Sequence, residues 1–214
     1  MLPCLACLER RRSEVDTESV LRAKVCLMGD SGVGKTSLVK RFVLDQFSDE
    51  YMSTFGTKVM KKQMALNVSE KKKIKLMMTV WDIMGERELI GVVKESYFHG
   101  ASGVIAVFDL TREETLTALG VWIQAAEKVI GKVPIIVAAN KLDLIPPRSI
   151  NRLSEILEHF AKDNDASSIL TSAKTGENVE FAFKKLGIGI TSGMLKQKTD
   201  FEVSVRAENL STNI

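Results

Sequence analysis

The chain has 214 residues, 45% of them hydrophobic and 27% charged, which suits one globular domain with a real core and short tails. Its net charge of +3 is too small to argue for nucleic-acid binding. The longest apolar runs, Gly103 to Phe108 and Val133 to Ala139, fall far short of the roughly 20 residues a bilayer-spanning helix needs.

Met1 to about Ser19 is polar and without periodicity, so residues 1–20 read as a flexible extension ahead of a domain over 21–192. Cys4 and Cys7 precede Arg10-Arg11-Arg12. Basic residues follow the apolar stretch, the reverse of a secretory signal, and no second Cys/His pair suits a zinc site. Two readings stay open: a disordered terminus, or acylation of these thiols beside a basic cluster, where two weak signals together hold a protein on a membrane. Only three cysteines occur, a usage that fits a reducing cytoplasm, and Cys26 reads as a buried small hydrophobe.

Val25-Cys26-Leu27-Met28 is a short apolar run that reads as a buried strand. It feeds into Gly29-Asp30-Ser31-Gly32-Val33-Gly34-Lys35-Thr36, followed by Ser37 and then Leu38, Val39, Phe42 and Val43 at helical spacing. Strand, glycine loop and helix start is the context of a phosphate-binding loop. Glycines let successive N–H groups turn inward onto phosphate oxygens, and the helix N-terminus adds partial positive charge. Lys35 then reaches the β- and γ-phosphates and the Thr36 hydroxyl ligates Mg²⁺. The bland alternative is a glycine-rich turn with a chance Lys-Thr, and the agreement of motif with flanks argues against it.

Gln46 to Gly56 reads as a loop and Thr57 to Leu66 as a strand, with a turn over Asn67 to Lys73. Ile74, Leu76, Met78 and Val80 alternate with Lys75, Met77, Thr79 and Trp81, a period of two that marks the second strand of a hairpin. The Lys71-Lys72-Lys73 run is a solvated tip, with an acidic partner or anionic lipid as the lesser reading. Gly103 to Leu110 and Pro134 to Ala139 are continuous apolar runs, as in central parallel strands, and Ser167 to Thr171 is a weaker third. Helices are expected over Glu113 to Ile130, Ile150 to Asp163 and Glu177 to about Ile190. The alternation argues an α/β fold, a mostly parallel six-stranded sheet with one antiparallel edge strand and helices on both faces. Ligands of such sheets lie beyond the carboxyl ends of the strands. Segment 193–214 is polar and reads as a flexible tail; it carries no cysteine, so C-terminal prenylation is not expected.

The choice of base falls to Asn140-Lys141-Leu142-Asp143, directly after Val137-Ala138-Ala139. An aspartate can accept from the N1–H and N2–H edge of guanine, whereas adenine offers no such paired donors. The Asn140 amide can bridge base and phosphate loop, and the Lys141 stem can lie along the ring.

With these motifs in order, the chain resembles a Ras-superfamily small GTPase, closest to the Rab group, over about Leu21 to Leu186. The resemblance implies a P-loop NTPase G domain that takes GTP or GDP with Mg²⁺. Tyr51-Met52-Ser53-Thr54-Phe55-Gly56 is similar to switch I, which makes Thr54 the residue for Mg²⁺ and the γ-phosphate. Trp81-Asp82-Ile83-Met84-Gly85 resembles the start of switch II, with Asp82 on Mg²⁺ through water and the Gly85 N–H sensing the γ-phosphate. Ser172-Ala173-Lys174 looks like the last guanine motif, with the Ala173 N–H on the guanine O6, and Phe47 stands where the family sets a ring against the base. From pattern alone a core residue at the end of the first helix is nearly as good a reading of Phe47. The chemistry implied is phosphoryl transfer to water, with effectors, an exchange factor and an activating protein as partners of a monomer.

Two departures matter. Glu86 follows Gly85 where the family usually has Gln, and Met84 replaces a small Ala. A carboxylate can accept from water, but the γ-phosphate repels it and it has no donor. The expectation is slow hydrolysis in which Lys35, Thr54, Gly85 and Glu86 act; the competing reading is a GTP-dependent scaffold with negligible hydrolysis. An ATP-dependent kinase is disfavoured by Asp143. His99, His159 and Arg87 read as surface or structural residues, and Trp81 and Trp122 as packing.

Overall fold

The computed structural model describes residues 19–48, 56–69, 72–83, 85 and 96–211. Thr54, Met84, Glu86, Arg87, Cys4 and Cys7 lie outside them.

Strand β1 (Ser19–Met28) divides the core by simple alternation: Val25 and Leu27 enter one apolar cluster, Cys26 and Met28 the other. It leads through the glycine loop to helix α1 (Lys35–Leu44). Then come β2 (Thr57–Ser69), β3 (Lys72–Ile83), β4 (Gly103–Asp109), helix α2 (Glu113–Ile130), β5 (Ile135–Asn140), helix α3 (Ile150–Asp163), β6 (Ser167–Leu170) and helix α4 (Val179–Ser211). The six strands form one sheet in the order β2-β3-β1-β4-β5-β6. Only β2 is antiparallel to its neighbour, and it sits at the edge. This is the expected mixed sheet of a P-loop G domain.

Every residue of β4 and β5 is buried, which is why both read as unbroken apolar runs. One face carries α1 and α4, where Leu38, Val39 and Phe42 meet Phe183, Leu186 and Ile190. The Phe42 and Phe183 rings stack with centroids 3.8 Å apart. The other face carries α2 and α3 through Leu119, Trp122, Ile123, Leu157 and Ala161. Cys26 is fully buried and its thiol is pushed up to about 12 by burial, so it behaves as the small hydrophobe expected.

Two boundaries differ from expectation. The hairpin strands run on to Ser69 and back from Lys72, leaving less turn than Asn67 to Lys73, with an irregular register between Asn67 and Ser69. The last helix continues to Ser211, well past Ile190 and through most of the segment read as a tail. Gly187, Gly189 and Gly193 dilute its apolar pattern, yet Gly187 is there for close packing: a Cβ would come within 2.9 Å of Met78 and 3.1 Å of Leu76 on β3.

Candidate functional site

The carboxyl ends of β1, β3, β4 and β5 converge on the glycine loop. Gly34 caps α1 at φ +99°, a left-handed conformation open to glycine, and a Cβ there would collide with the Asn140 side-chain amide. Lys35 folds back over the loop, its Nζ donating to the carbonyls of Gly29 (2.8 Å) and Asp30 (2.7 Å). Burial lowers this ammonium to about 8, although the Asp82 and Asp30 carboxylates resist the shift. Ser31, Gly32, Val33 and Ser37 complete the loop and the first turn of α1.

Thr36 Oγ1 donates to Asp82 Oδ2 at 2.6 Å, joining α1 to the end of β3. Asp82 is buried, and its Oδ1 has no hydrogen-bond partner among the described residues. Burial raises its carboxyl, opposed by the Thr36 hydroxyl and by Lys35. Gly85 lies so near that a Cβ would run into the Lys35 ammonium and the Asp30 carbonyl.

At the other end Asn140 is buried and bridges two segments. Its Nδ2 donates to Val33 O at 2.9 Å, and its Oδ1 accepts from the Ala173 N–H at 3.1 Å. The Ala173 N–H, expected to face a base, thus has a protein partner in the Asn140 amide oxygen. Ser172 Oγ donates to Asp143 Oδ1 at 2.5 Å, which aims the exposed Asp143 carboxylate. Phe47 is half-buried and packs against the core cluster under α1, the packing role its pattern also allowed. His99 and His159 are exposed.

Several members of the site were not singled out by sequence. Asp109, the last residue of β4, pairs with Lys141 Nζ (2.6 Å) and Arg112 Nε (3.0 Å). Burial alone would raise its carboxyl, but hydrogen bonds from Lys141, Thr111 and Arg112 hold it below the ordinary range. The Trp122 Nε1–H, expected only to pack, donates to Asp30 Oδ1 at 3.0 Å. Arg41 of α1 donates to the carbonyls of Ala173 and Lys174. The available signal was a charged Asp109 ending an all-apolar strand at the edge where the motifs gather.

No group of three or more His, Cys, Asp or Glu side chains that would hold a metal unaided occurs among the described residues. None of their helices is long and apolar enough to cross a membrane.

Fold and loop together define a P-loop G domain, a protein class built to hold nucleotide phosphates. The Ras family model matches residues 24–191, and the chain belongs to that family. It is 35% identical to the GTP-binding protein ypt3 of Schizosaccharomyces pombe over 75% of this chain and 72% of the relative. It is 35% identical to Ras-related protein Rab-13 of Rattus norvegicus, over 76% and 77%. It is 34% identical to Ras-related protein Rab-4B of Homo sapiens, over 76% and 73%. The chain is therefore a Rab-like small GTPase by family.

Proposed function

We propose that this protein is a GDP/GTP switch that binds guanine nucleotide with Mg²⁺ and hydrolyses GTP to GDP and phosphate. The observation that carries the reading is the Asn140 bridge, which ties the Lys35 loop at Val33 to Ala173, next to the Ser172 that holds Asp143. The donor set suits a polyphosphate: loop N–H groups, the Lys35 ammonium, and cradle positions at Gly34 and Gly85 that any Cβ would fill. Asp82 Oδ1, without a hydrogen-bond partner among the described residues and beside the Thr36 hydroxyl, suits a hydrated divalent cation that phosphate oxygens and Thr54 would complete. When bound, Mg²⁺ would neutralise negative charge on the polyphosphate.

The residues divide the work. Asp143, set by Ser172, accepts the N1–H and N2–H of guanine; Lys141, fixed by Asp109, lies along the ring; the Ala173 N–H bifurcates between Asn140 and the base oxygen. Lys35 and the Gly85 N–H stabilise charge on the γ-phosphate as a water, positioned by Glu86, attacks phosphorus and the bond to the β-γ bridging oxygen breaks. Losing the γ-phosphate removes the contacts to Thr54 and Gly85, and switch I and switch II relax, which changes the effectors that bind. An exchange factor and an activating protein reset and complete the cycle around a cytoplasmic monomer, and acylated Cys4 and Cys7 would hold it at a membrane surface.

The second reading, a GTP-dependent scaffold without turnover, is favoured by Glu86 and Met84. Purified protein with GTP and Mg²⁺, with phosphate release followed over hours, decides between them: one phosphate per bound GTP supports the switch, and intact GTP on folded, loaded protein supports the scaffold.

A further inference from the structure

We propose that Arg112 is a positioning residue that clamps the phosphate loop to the base-recognition segment and thereby slows release of bound guanine nucleotide. The inference rests on the guanine-nucleotide reading above. Four donors converge on the Asp109 carboxylate, whose side chain is 0% exposed. Oδ1 receives the Thr111 N–H (3.0 Å) and hydroxyl (2.6 Å), and Oδ2 receives Lys141 Nζ (2.6 Å) and Arg112 Nε (3.0 Å). Arg112 has a second attachment: its Nη2 donates to the carbonyl of Ser31 at 3.0 Å, 81 residues away in sequence. A continuous chain thus runs Ser31–Arg112–Asp109–Lys141, from the turn of the loop to the residue proposed to lie along the base.

Two features set this bridge apart from a surface ion pair. Arg112 is the N-cap residue of α2, where the helix dipole disfavours a cation. Its guanidinium is offset there by Asp109 and by a carbonyl, so the charge sits in a poor place for the helix and a good place for a bridge. The second feature is the orientation of the Ser31–Gly32 peptide plane. In a trans peptide the carbonyl and the next N–H point in opposite directions. Holding Ser31 O toward Arg112 therefore holds the Gly32 N–H turned away from it, preset before any phosphate arrives. Gly32 sits at φ +75°, a freely rotating position without such a tether. The planar fork can serve Asp109 through Nε and Ser31 through Nη2 at once; a lysine ammonium, a point donor on a flexible stem, cannot span both.

The test follows displacement of a fluorescent GDP analogue from the full-length protein, loaded with Mg²⁺, by excess unlabelled GDP. Arg112→Ala is expected to release about tenfold faster than wild type, the scale of one charge-assisted hydrogen bond. Arg112→Lys, which keeps a charge beside Asp109 but loses Ser31, is expected to release nearly as fast as Arg112→Ala. The Arg112→Ala effect should vanish in an Asp109→Asn background, because both act through one chain. It should persist at full size in a Leu157→Val background, a buried change on α3 outside that chain. Release at the wild-type rate by Arg112→Ala, full rescue by Arg112→Lys, or independent effects of Arg112→Ala and Asp109→Asn would each overturn the clamp while leaving the nucleotide reading intact. A folded wild-type protein that never loads the analogue would overturn that reading, and the clamp with it.

Discussion

The side-chain amide of Asn140 donates to the carbonyl of Val33 across 2.9 Å, fastening the end of β5 to the phosphate loop. Asn140→Ala would leave Val33 O and the Ala173 N–H buried without this partner. Each orphaned group costs about 1–3 kcal/mol, so the variant is expected to melt several degrees lower and to bind GDP at least tenfold more weakly. Thermal unfolding with and without GDP checks both; an unchanged midpoint and unchanged GDP stabilisation would remove Asn140 as the link.

Thr36 and Asp82 predict a metal dependence. Removing the cation with EDTA is expected to speed nucleotide release from wild type. Thr36→Ala leaves Asp82 without its donor, costs about 1–3 kcal/mol of stability, and should release nucleotide quickly whether or not EDTA is present. A variant that still responds to EDTA as wild type does would take Thr36 out of the cation site.

Lys35 predicts a pH dependence. Its ammonium is lowered to about 8 from the ordinary lysine value of 10.5, first by burial. Because the folded, nucleotide-free state gives up this proton earlier than the unfolded chain, the group's burden on stability is greatest below pH 8 and eases as pH rises toward 10.5. Phosphate binding needs the charged form, so the effect on affinity has the opposite sign. GDP affinity is expected to be level below pH 8 and to fall by about tenfold per unit above it. Titrations between pH 7 and 10 check this; a flat profile would contradict it.

How much of this was legible depends on where a residue's partners lie. The phosphate loop and Asn140-Lys141-Leu142-Asp143 are contiguous because one turn of backbone must present all their groups to one ligand, so their chemistry is written in spacing. Asp109 and Lys141, Trp122 and Asp30, and Arg41 and Ala173 meet only because β4 and β5 end, and α1 and α2 begin, at one edge of the sheet. Trp122 looked like core because it is core: it is 3% exposed and still places its one polar atom on the loop. Helix α4 hid its length because the chain beyond Ile190 is polar and lacks the apolar stripe by which helices are read.

Glu86 predicts a rate. Replacing its carboxylate with an amide removes repulsion from the γ-phosphate and adds a donor for water. Single-turnover hydrolysis of GTP by Glu86→Gln is expected to be about tenfold faster than wild type, the worth of one hydrogen bond made in the transition state. Equal rates would remove any role for Glu86.

Calorimetry tests most directly whether one site grips a guanosine phosphate from Lys35 to Asp143. With Mg²⁺ present, GDP and GTP are expected to bind tightly and ATP weakly. Asp143→Ala should lose about two or more decades of guanine affinity, the worth of two hydrogen bonds to a charged acceptor, while ATP binding stays as it was. No heat with either guanine nucleotide, or ATP binding as tightly as GTP, would contradict the account.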